Sequence, residues 1–181
     1  GGVDPAAADT PAAADAAASA ARASHCLQAG PFTSTEAEVA ERTLRDAGVA
    51  PAAWQAIRTE VFVQEQRIPK ELEWDAADAS CVHAVAYNRF GMALGTGRLL
   101  EHAPGVSKIG RMAVRQSLRG GHIGRALLDQ LVDCARQRGD RELMLHAQAS
   151  AAAFYVRAGF SPRGQPFEEA GIPHQEMVRA L

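Results

Sequence analysis

The stretch IGRMAVRQSLRGGHIGRALL, Ile109 to Leu128, changes its period midway and so decides what its neighbours are. Its first part is a short apolar run of the kind that makes a strand, and its last part opens an amphipathic helix. Gly120, Gly121 and Gly124 lie at the join, together with Arg119 and His122. A helix that starts in such a turn leaves its first N–H groups without intrahelical partners, pointing outward with the positive end of the helix dipole. An anion suits that place, and a pyrophosphate suits it best; a plain tight turn is the competing reading. Two familiar phosphate fingerprints do not apply. A P-loop ends in Gly-Lys-Ser/Thr, whereas Gly124 is followed by Arg125 and Ala126. A dinucleotide-binding GxGxxG follows the first strand of a βαβ unit, whereas the runs before this one read as a hairpin.

Downstream, Ile123, Leu127, Leu131 and Cys134 share one face of a helix expected from Gly121 to Gly139, with Gly139 as its stop. ELMLHA is then a nearly continuous apolar run, as in a buried strand. A short helix is expected from Ser150 to Arg157, ending at Ala158-Gly159, and the remainder reads as two strands around a loop. Upstream, CVHAVAY and MALGTGRLL flank Asn88-Arg89-Phe90-Gly91, a hairpin signal, and SKIGRMAVR continues an antiparallel sheet. Gly95 and Gly97 inside a strand pattern mark a bulge or close packing. PAAWQAIRTEVFVQEQ places Trp54, Ile57 and Val61 on one helical face, and the acidic RIPKELEWDAAD reads as a loop or short helical turn. The domain begins near Thr35, with an extended stretch from Glu38 to Arg45. The order of elements is that of an α+β protein, a sheet between helices.

At 181 residues the chain suits one domain plus a tail. Residues 1–35 form an Ala-rich tail or linker, and residues 36–181 the domain; the alanine stretch holds no large apolar side chain and cannot build a core. The net charge is −2, with Lys and Arg dispersed, so no nucleic-acid partner is expected. Cys26, Cys81 and Cys134 are widely spaced without a CxxC pair, which reads as reduced thiols of a cytoplasmic protein with no metal site. No apolar run approaches the roughly 20 residues of a membrane-spanning helix, so no membrane partner is expected.

The ordered set of IGRMAV, RQSLRGGHIGRALL, a buried strand and then AAAFYVRAGF resembles the GNAT superfamily of N-acetyltransferases. That family carries Arg/Gln-x-x-Gly-x-Gly/Ala at its acyl-CoA site and a later Tyr-x-x-x-Gly-Phe. RTEVFVQEQRIP, EWDAAD, LGTGRLL, LHAQ and FEEAGIPHQEM narrow the likeness to the ElaA-like branch, over roughly Glu38 to Leu181. The resemblance implies a mixed, mostly antiparallel sheet of about six to seven strands, splayed at the acyl-CoA site and flanked by helices. Acetyl-CoA is the implied cosubstrate. Its pyrophosphate would rest on Arg119, Gly120, Gly121, His122, Ile123, Gly124 and Arg125. Its pantetheine would lie along the strand carrying Met112, Ala113 and Val114, one of whose N–H groups would polarise the thioester carbonyl. A preorganised backbone donor stabilises the tetrahedral oxyanion formed by amine attack more than it stabilises the ground state. His122 stands at the middle glycine of the signature. Main-chain donors survive that change, and its side chain is expected at the pocket rim or in solvent.

Tyr155 occupies the tyrosine position that resemblance assigns to the general acid. A phenol with a pKa near about 10 can protonate a leaving thiolate, which an ionised carboxylate cannot. Glu65, Glu73 and Asp75 border the implied acceptor cleft and would suit a cationic amine; the alternative is an ion-pair network in which Arg58 and Arg98 meet Asp75 and Asp78. His83, His146 and His174 are the histidines weighed for the amine's proton, with His83 placed in the acceptor site. The acceptor is expected to be a small-molecule or peptide amine, attacked directly without a covalent enzyme intermediate. A homodimer is possible through exposed strand edges. Two other readings stay open: an acyl-homoserine-lactone synthase using S-adenosylmethionine, suggested by RTEVF, DAAD and GRLL, and a weakly catalytic CoA-binding module.

Overall fold

The computed structural model describes residues 51–181. The tail at 1–35, Cys26 and the extended stretch from Glu38 to Arg45 lie outside the described residues. Helix α1 (Pro51–Arg58) runs directly into a π-helical segment, Thr59–Glu65, where one continuous α-helix was expected. Trp54, Ile57 and Val61 are buried as their spacing requires, and the wider winding turns Phe62 inward beside Val61. The acidic segment folds into a single turn, α2 (Lys70–Glu73), followed by a 3-10 turn, Ala76–Ala79.

Three antiparallel strands follow: β1 (Val82–Tyr87), β2 (Ala93–Ala103) and β3 (Val106–Val114). Asn88 closes the first hairpin by accepting from the N–H groups of Phe90 and Met92 with its side-chain oxygen, and Gly91 takes φ +78°. After β3 comes α3 (Ile123–Arg138), capped by Gly139 in the left-handed region, where the N–H groups of Gly139 and Asp140 close on Arg136 and Ala135 carbonyls. Then come β4 (Glu142–Gln148), α4 (Ala152–Arg157), β5 (Ser161–Pro162), β6 (Phe167–Glu169) and β7 (Ile172–Ala180). Among the described residues the sheet has seven strands, in the order β1-β2-β3-β4-β7-β5, with β6 also paired to β7. This is the expected α+β sheet flanked by helices; the C-terminal part contributes three strands instead of the two read from its pattern.

Helix α3 lies on one face of the sheet, with Ile123, Leu127, Leu131 and Cys134 all buried, and α1 lies on the other. Gly95 and Gly97 in β2 let α3 approach closely. A Cβ on Gly95 would lie 2.8 Å from the Ala113 carbonyl oxygen and 3.1 Å from Leu127 Cδ1, and one on Gly97 would lie 3.0 Å from Leu131 Cδ1.

Two irregularities shape the site. Arg98 pairs with Gly110 and Thr96 with Ala113, so β3 carries one extra residue there, and Arg111 sits at φ +52°. This bulge flips the strand's faces: Ile109 packs into the α3-side core, whereas Ala113 packs against Ile57, Val61 and Phe62 of the α1 side. The second is a gap. Parallel pairing of β3 with β4 runs from Val106/Glu142 to Ile109/Leu145 and stops. Beyond it β4 stays paired with β7, and β3 with β2, so the two strands diverge.

Candidate active site

A cavity of about 950 Å³ opens where β3 and β4 part. It follows β3 from Val114 and Arg119 at one end, past Met112 and Tyr155, to Lys108 and His146 at the other.

Alternation along β3 decides which backbone groups face it. The Arg115 N–H donates to the Leu94 carbonyl, 3.1 Å, so Ala113, two residues back, also faces β2. Met112 and Val114 therefore turn their N–H and C=O groups the other way, into the gap, where no strand of the described residues meets them. The Val114 carbonyl accepts from Arg119 Nε, 3.1 Å.

At the entrance of α3 the first intrahelical bond runs from Ala126 to the His122 carbonyl, 3.1 Å, leaving the N–H groups of Ile123, Gly124 and Arg125 without intrahelical partners. Among the described residues no side chain caps the helix. Gly120 takes φ +87° and His122 φ +62°, and the His122 side chain is exposed. Histidine enters the left-handed region more readily than most residues. The turn thus keeps its shape without the glycine, and the imidazole is exposed to solvent, outside the residues that line the cavity. A Cβ on Gly124 would make only ordinary contacts with Val114 and Phe154. Arg125 is exposed and pairs with Asp129, one turn on.

Arg119 holds Glu65 in a bidentate pair, both bonds 2.7 Å. Their hydrogen bond lowers the Glu65 carboxyl below its usual range. Glu65 thus stands beside Arg119 and does not line the cavity, which corrects its assignment to the acceptor end.

Tyr155 is buried, its ring edge-on to Phe154 and Phe160. Its hydroxyl lines the cavity without a hydrogen-bond partner among the described residues. Burial pushes the phenol up to about 12, so it is protonated at neutral pH and can donate.

The acidic loop is organised around arginines. Arg58 is fully buried and lies over the Trp54 and Trp74 rings, at 5.0 and 4.5 Å. It donates to the Glu73 carboxylate, to the Glu73 carbonyl at 2.5 Å, and to Asp78 at 2.6 Å. Arg98 grips Asp75 at 2.6 and 2.8 Å and Asp78 at 2.6 Å. Arg111, projected by the bulge, reaches Glu73 at 3.2 Å and Asp75 at 3.5 Å. Burial raises the Glu73 carboxyl in spite of its arginines, while the Arg98 hydrogen bonds hold Asp75 down at about 2. Glu73 and Asp75 do touch the cavity, but their charge is already matched, so the ion-pair alternative describes them and the cationic-acceptor role does not. His83 stacks on Trp54, ring centroids 4.1 Å apart, and contacts the Asp78 carbonyl at 2.9 Å, away from the cavity. Asp78, Cys81 and His83 bring ligand atoms within 4.8 Å of one another. Asp78 is held by two guanidiniums, and burial pushes the Cys81 thiol up to about 11, so this set suits a cation poorly.

Residues the sequence reading passed over line the far end: Lys108, Arg111, Glu169 and His102. His146 and His174 also lie on this wall. His146 Nδ1 is 3.0 Å from Glu169 and 3.4 Å from Lys108 Nζ. The strand pattern of SKIGRMAV does show Lys108 opposite in phase to Ile109, but nothing in it shows that β4 brings His146 alongside. Gln66 and Gln148 bridge the mouth through their amides at 2.9 Å.

A family model described as acetyltransferase (GNAT) domain matches residues 38–181. The chain is 31% identical to protein ElaA of Escherichia coli over 129 residues, covering 69% of this chain and 84% of that protein. It is 33% identical to the uncharacterized N-acetyltransferase YjcF of Bacillus subtilis over 124 residues, 68% of this chain and 87% of that protein. The crystal structure of an acyl-CoA N-acyltransferase from Pseudomonas aeruginosa is similar, with a TM-score of 0.64, 35% identity, and 71% and 89% of the two chains covered. That of E. coli ElaA is similar too, with a TM-score of 0.63 at 30% identity, covering 71% and 88%.

Proposed function

The chain belongs to the GNAT acetyltransferase family, and on that premise we propose that it transfers an acetyl group from acetyl-CoA to a primary amine by direct attack. The observation that carries this reading is the conjunction, in one cavity, of a strand gap with inward-turned backbone groups and a buried, protonated tyrosine. When bound, acetyl-CoA supplies the activated acetyl group. The chain's residues fit such a molecule. The N–H groups of His122 to Arg125 suit its pyrophosphate. Met112 and Val114 offer main-chain partners to amide groups laid along β3. Of the N–H groups facing the gap, we assign to Met112's the charge that develops on the thioester carbonyl oxygen.

Tyr155 gives its proton to the departing sulfur, since its phenol stays neutral where a carboxylate would already be ionised. For the amine's own proton, Glu73 and Asp75 are committed to guanidiniums and His83 faces elsewhere. His146 and His174 remain on the cavity wall.

Tyr155→Phe tests the reading. Removing a positioned acid lowers kcat by about a hundredfold or more, while the dissociation constant for acetyl-CoA, measured by calorimetry, stays that of the parent. The ordinary phenol value is 10.0 and the folded one about 12, so the acid form persists to strongly alkaline pH. A falling activity limb near pH ~9 that survives in Tyr155→Phe would assign proton donation to another group.

The motifs shared with acyl-homoserine-lactone synthases have a structural role here: Arg58 of RTEVF, Asp75 and Asp78 of DAAD, and Arg98 of GRLL form the buried ion-pair network. They give no support to S-adenosylmethionine chemistry. Acetyl-CoA binding without release of thiol over a broad amine panel would instead favour a CoA-binding module.

A further inference from the structure

The charges at the acceptor end of the cavity are almost all matched in pairs. Glu73, Asp75 and Asp78 are held by Arg58, Arg98 and Arg111, and Glu169 shares a hydrogen bond with His146 Nδ1 at 3.0 Å. Lys108 is different. Its half-buried ammonium lines the cavity, and no carboxylate of the described residues is in ion-pair contact with it. Its one polar partner is His146 Nδ1 at 3.4 Å, a contact shared with Glu169. An ammonium has three donors and desolvation is costly, so a half-buried lysine with so few partners is a ready seat for an anion. Burial lowers the Lys108 pKa from its usual value, with Arg111 and Arg98 in the same sense and the more distant charges of Glu169 and Glu176 opposing them.

We propose that Lys108 anchors the carboxylate of an aminocarboxylate acceptor whose amine is presented toward Met112 and Tyr155. This rests on the transferase reading above and names its substrate class. Among the described residues that line the cavity, the carboxylates of the acidic loop are committed to guanidiniums and only Glu169 has no such partner, whereas an acceptor carrying its own anion gives Lys108 the counter-charge it lacks. Lys108 and Met112 are four positions apart on β3 with the bulge at Arg111 between them, so at about 3.3 Å per residue they lie roughly 10–13 Å apart along the strand. The amine and carboxylate of the acceptor therefore sit at opposite ends of an extended molecule.

The test compares three acceptors of equal length, δ-aminovalerate, pentylamine and cadaverine, by released thiol. Binding of δ-aminovalerate to CoA-saturated protein is followed separately by calorimetry. The parent is expected to use δ-aminovalerate in preference to both others. Lys108→Met, with folding checked by circular dichroism, is expected to lower the ratio of kcat/KM for δ-aminovalerate over pentylamine about tenfold, the loss of one charge-assisted contact. Lys108→Arg is expected to restore most of it. A preference for cadaverine, or a ratio that Lys108→Met leaves in place, overturns the proposal. If no amine releases thiol but δ-aminovalerate still binds, and Lys108→Met abolishes that binding, the transferase reading falls and the anion seat stands. If the parent neither turns over nor binds δ-aminovalerate, the anion seat falls.

Discussion

The two ends of the cavity treat charge in opposite ways. At the Arg119 end the groups that suit a ligand are main-chain N–H donors left over by the fold: the first turn of α3 and the stretch of β3 past its last parallel pair. At the far end the polar groups are side chains already matched to one another, Arg58, Arg98 and Arg111 against Glu73, Asp75 and Asp78. The first arrangement leaves donors for a ligand to satisfy. The second is satisfied within the protein, Lys108 apart, so its acids position the cavity wall more than they recognise a substrate. A cluster of acids beside a cleft is thus no guide to the charge of what the cleft accepts until the burial and partners of each acid are known.

The contrast breaks most visibly at Arg58. Arg58→Met leaves Glu73 buried without its main partner, a change that destabilises by about 3–5 kcal/mol, and urea unfolding will show it as a large fall in midpoint. The same network carries a pH signature. The Asp75 carboxyl ordinarily titrates at 3.8 and is held at about 2 in the folded chain, so its stabilisation is present above that ordinary value and lost as pH falls toward about 2. Asp75→Asn is expected to flatten acid unfolding over that interval.

At the other end the effects are on ligand affinity. Arg119→Gln is expected to weaken acetyl-CoA binding about tenfold in calorimetry, the loss of a charge-assisted fork. Glu65→Gln works in the opposite sense, because the carboxylate it removes occupies both arms of that fork. A surface pair is worth at most about 1 kcal/mol, so the gain is at most about fivefold. Unchanged affinity in both variants would remove Arg119 from the cradle. The smallest effect belongs to His122→Gly. Glycine relieves the left-handed strain but adds chain entropy, and the two offset to within about 1 kcal/mol. Acetyl-CoA affinity is expected to hold, since the donors are backbone.

Sequence made the backbone end legible because a left-handed turn and a close helix approach need particular residues. Gly120, Gly95, Gly97 and Gly139 each sit where a larger side chain would strain or clash, and the helix face from Ile123 to Cys134 repeats in register. The far end was less legible. Glu73 and Asp75 look alike in a string of acids, yet one is buried and the other half in solvent. Lys108 and His146 come from strands joined by a helix, and only the four-residue parallel register between β3 and β4 brings them together. The bulge at Arg111 reverses which side of β3 faces the core, a shift of a single residue that no local periodicity announces. The π-helical winding after α1 was equally hidden, because its apolar spacing also fits an ordinary helix.

The gap between β3 and β4 gives this sheet something unusual, an edge in its interior. An exposed edge is a template on which foreign strands can polymerise. Here the open length is short, the Val114 carbonyl is covered by Arg119, and the Gln66–Gln148 bridge crosses the mouth. A polypeptide strand, with side chains on alternate sides, meets these obstacles at once, whereas a thin amide-bearing chain can slip past them. On the function proposed above, this edge serves the thin amide chain of acetyl-CoA while the same obstacles hinder the strands of other proteins.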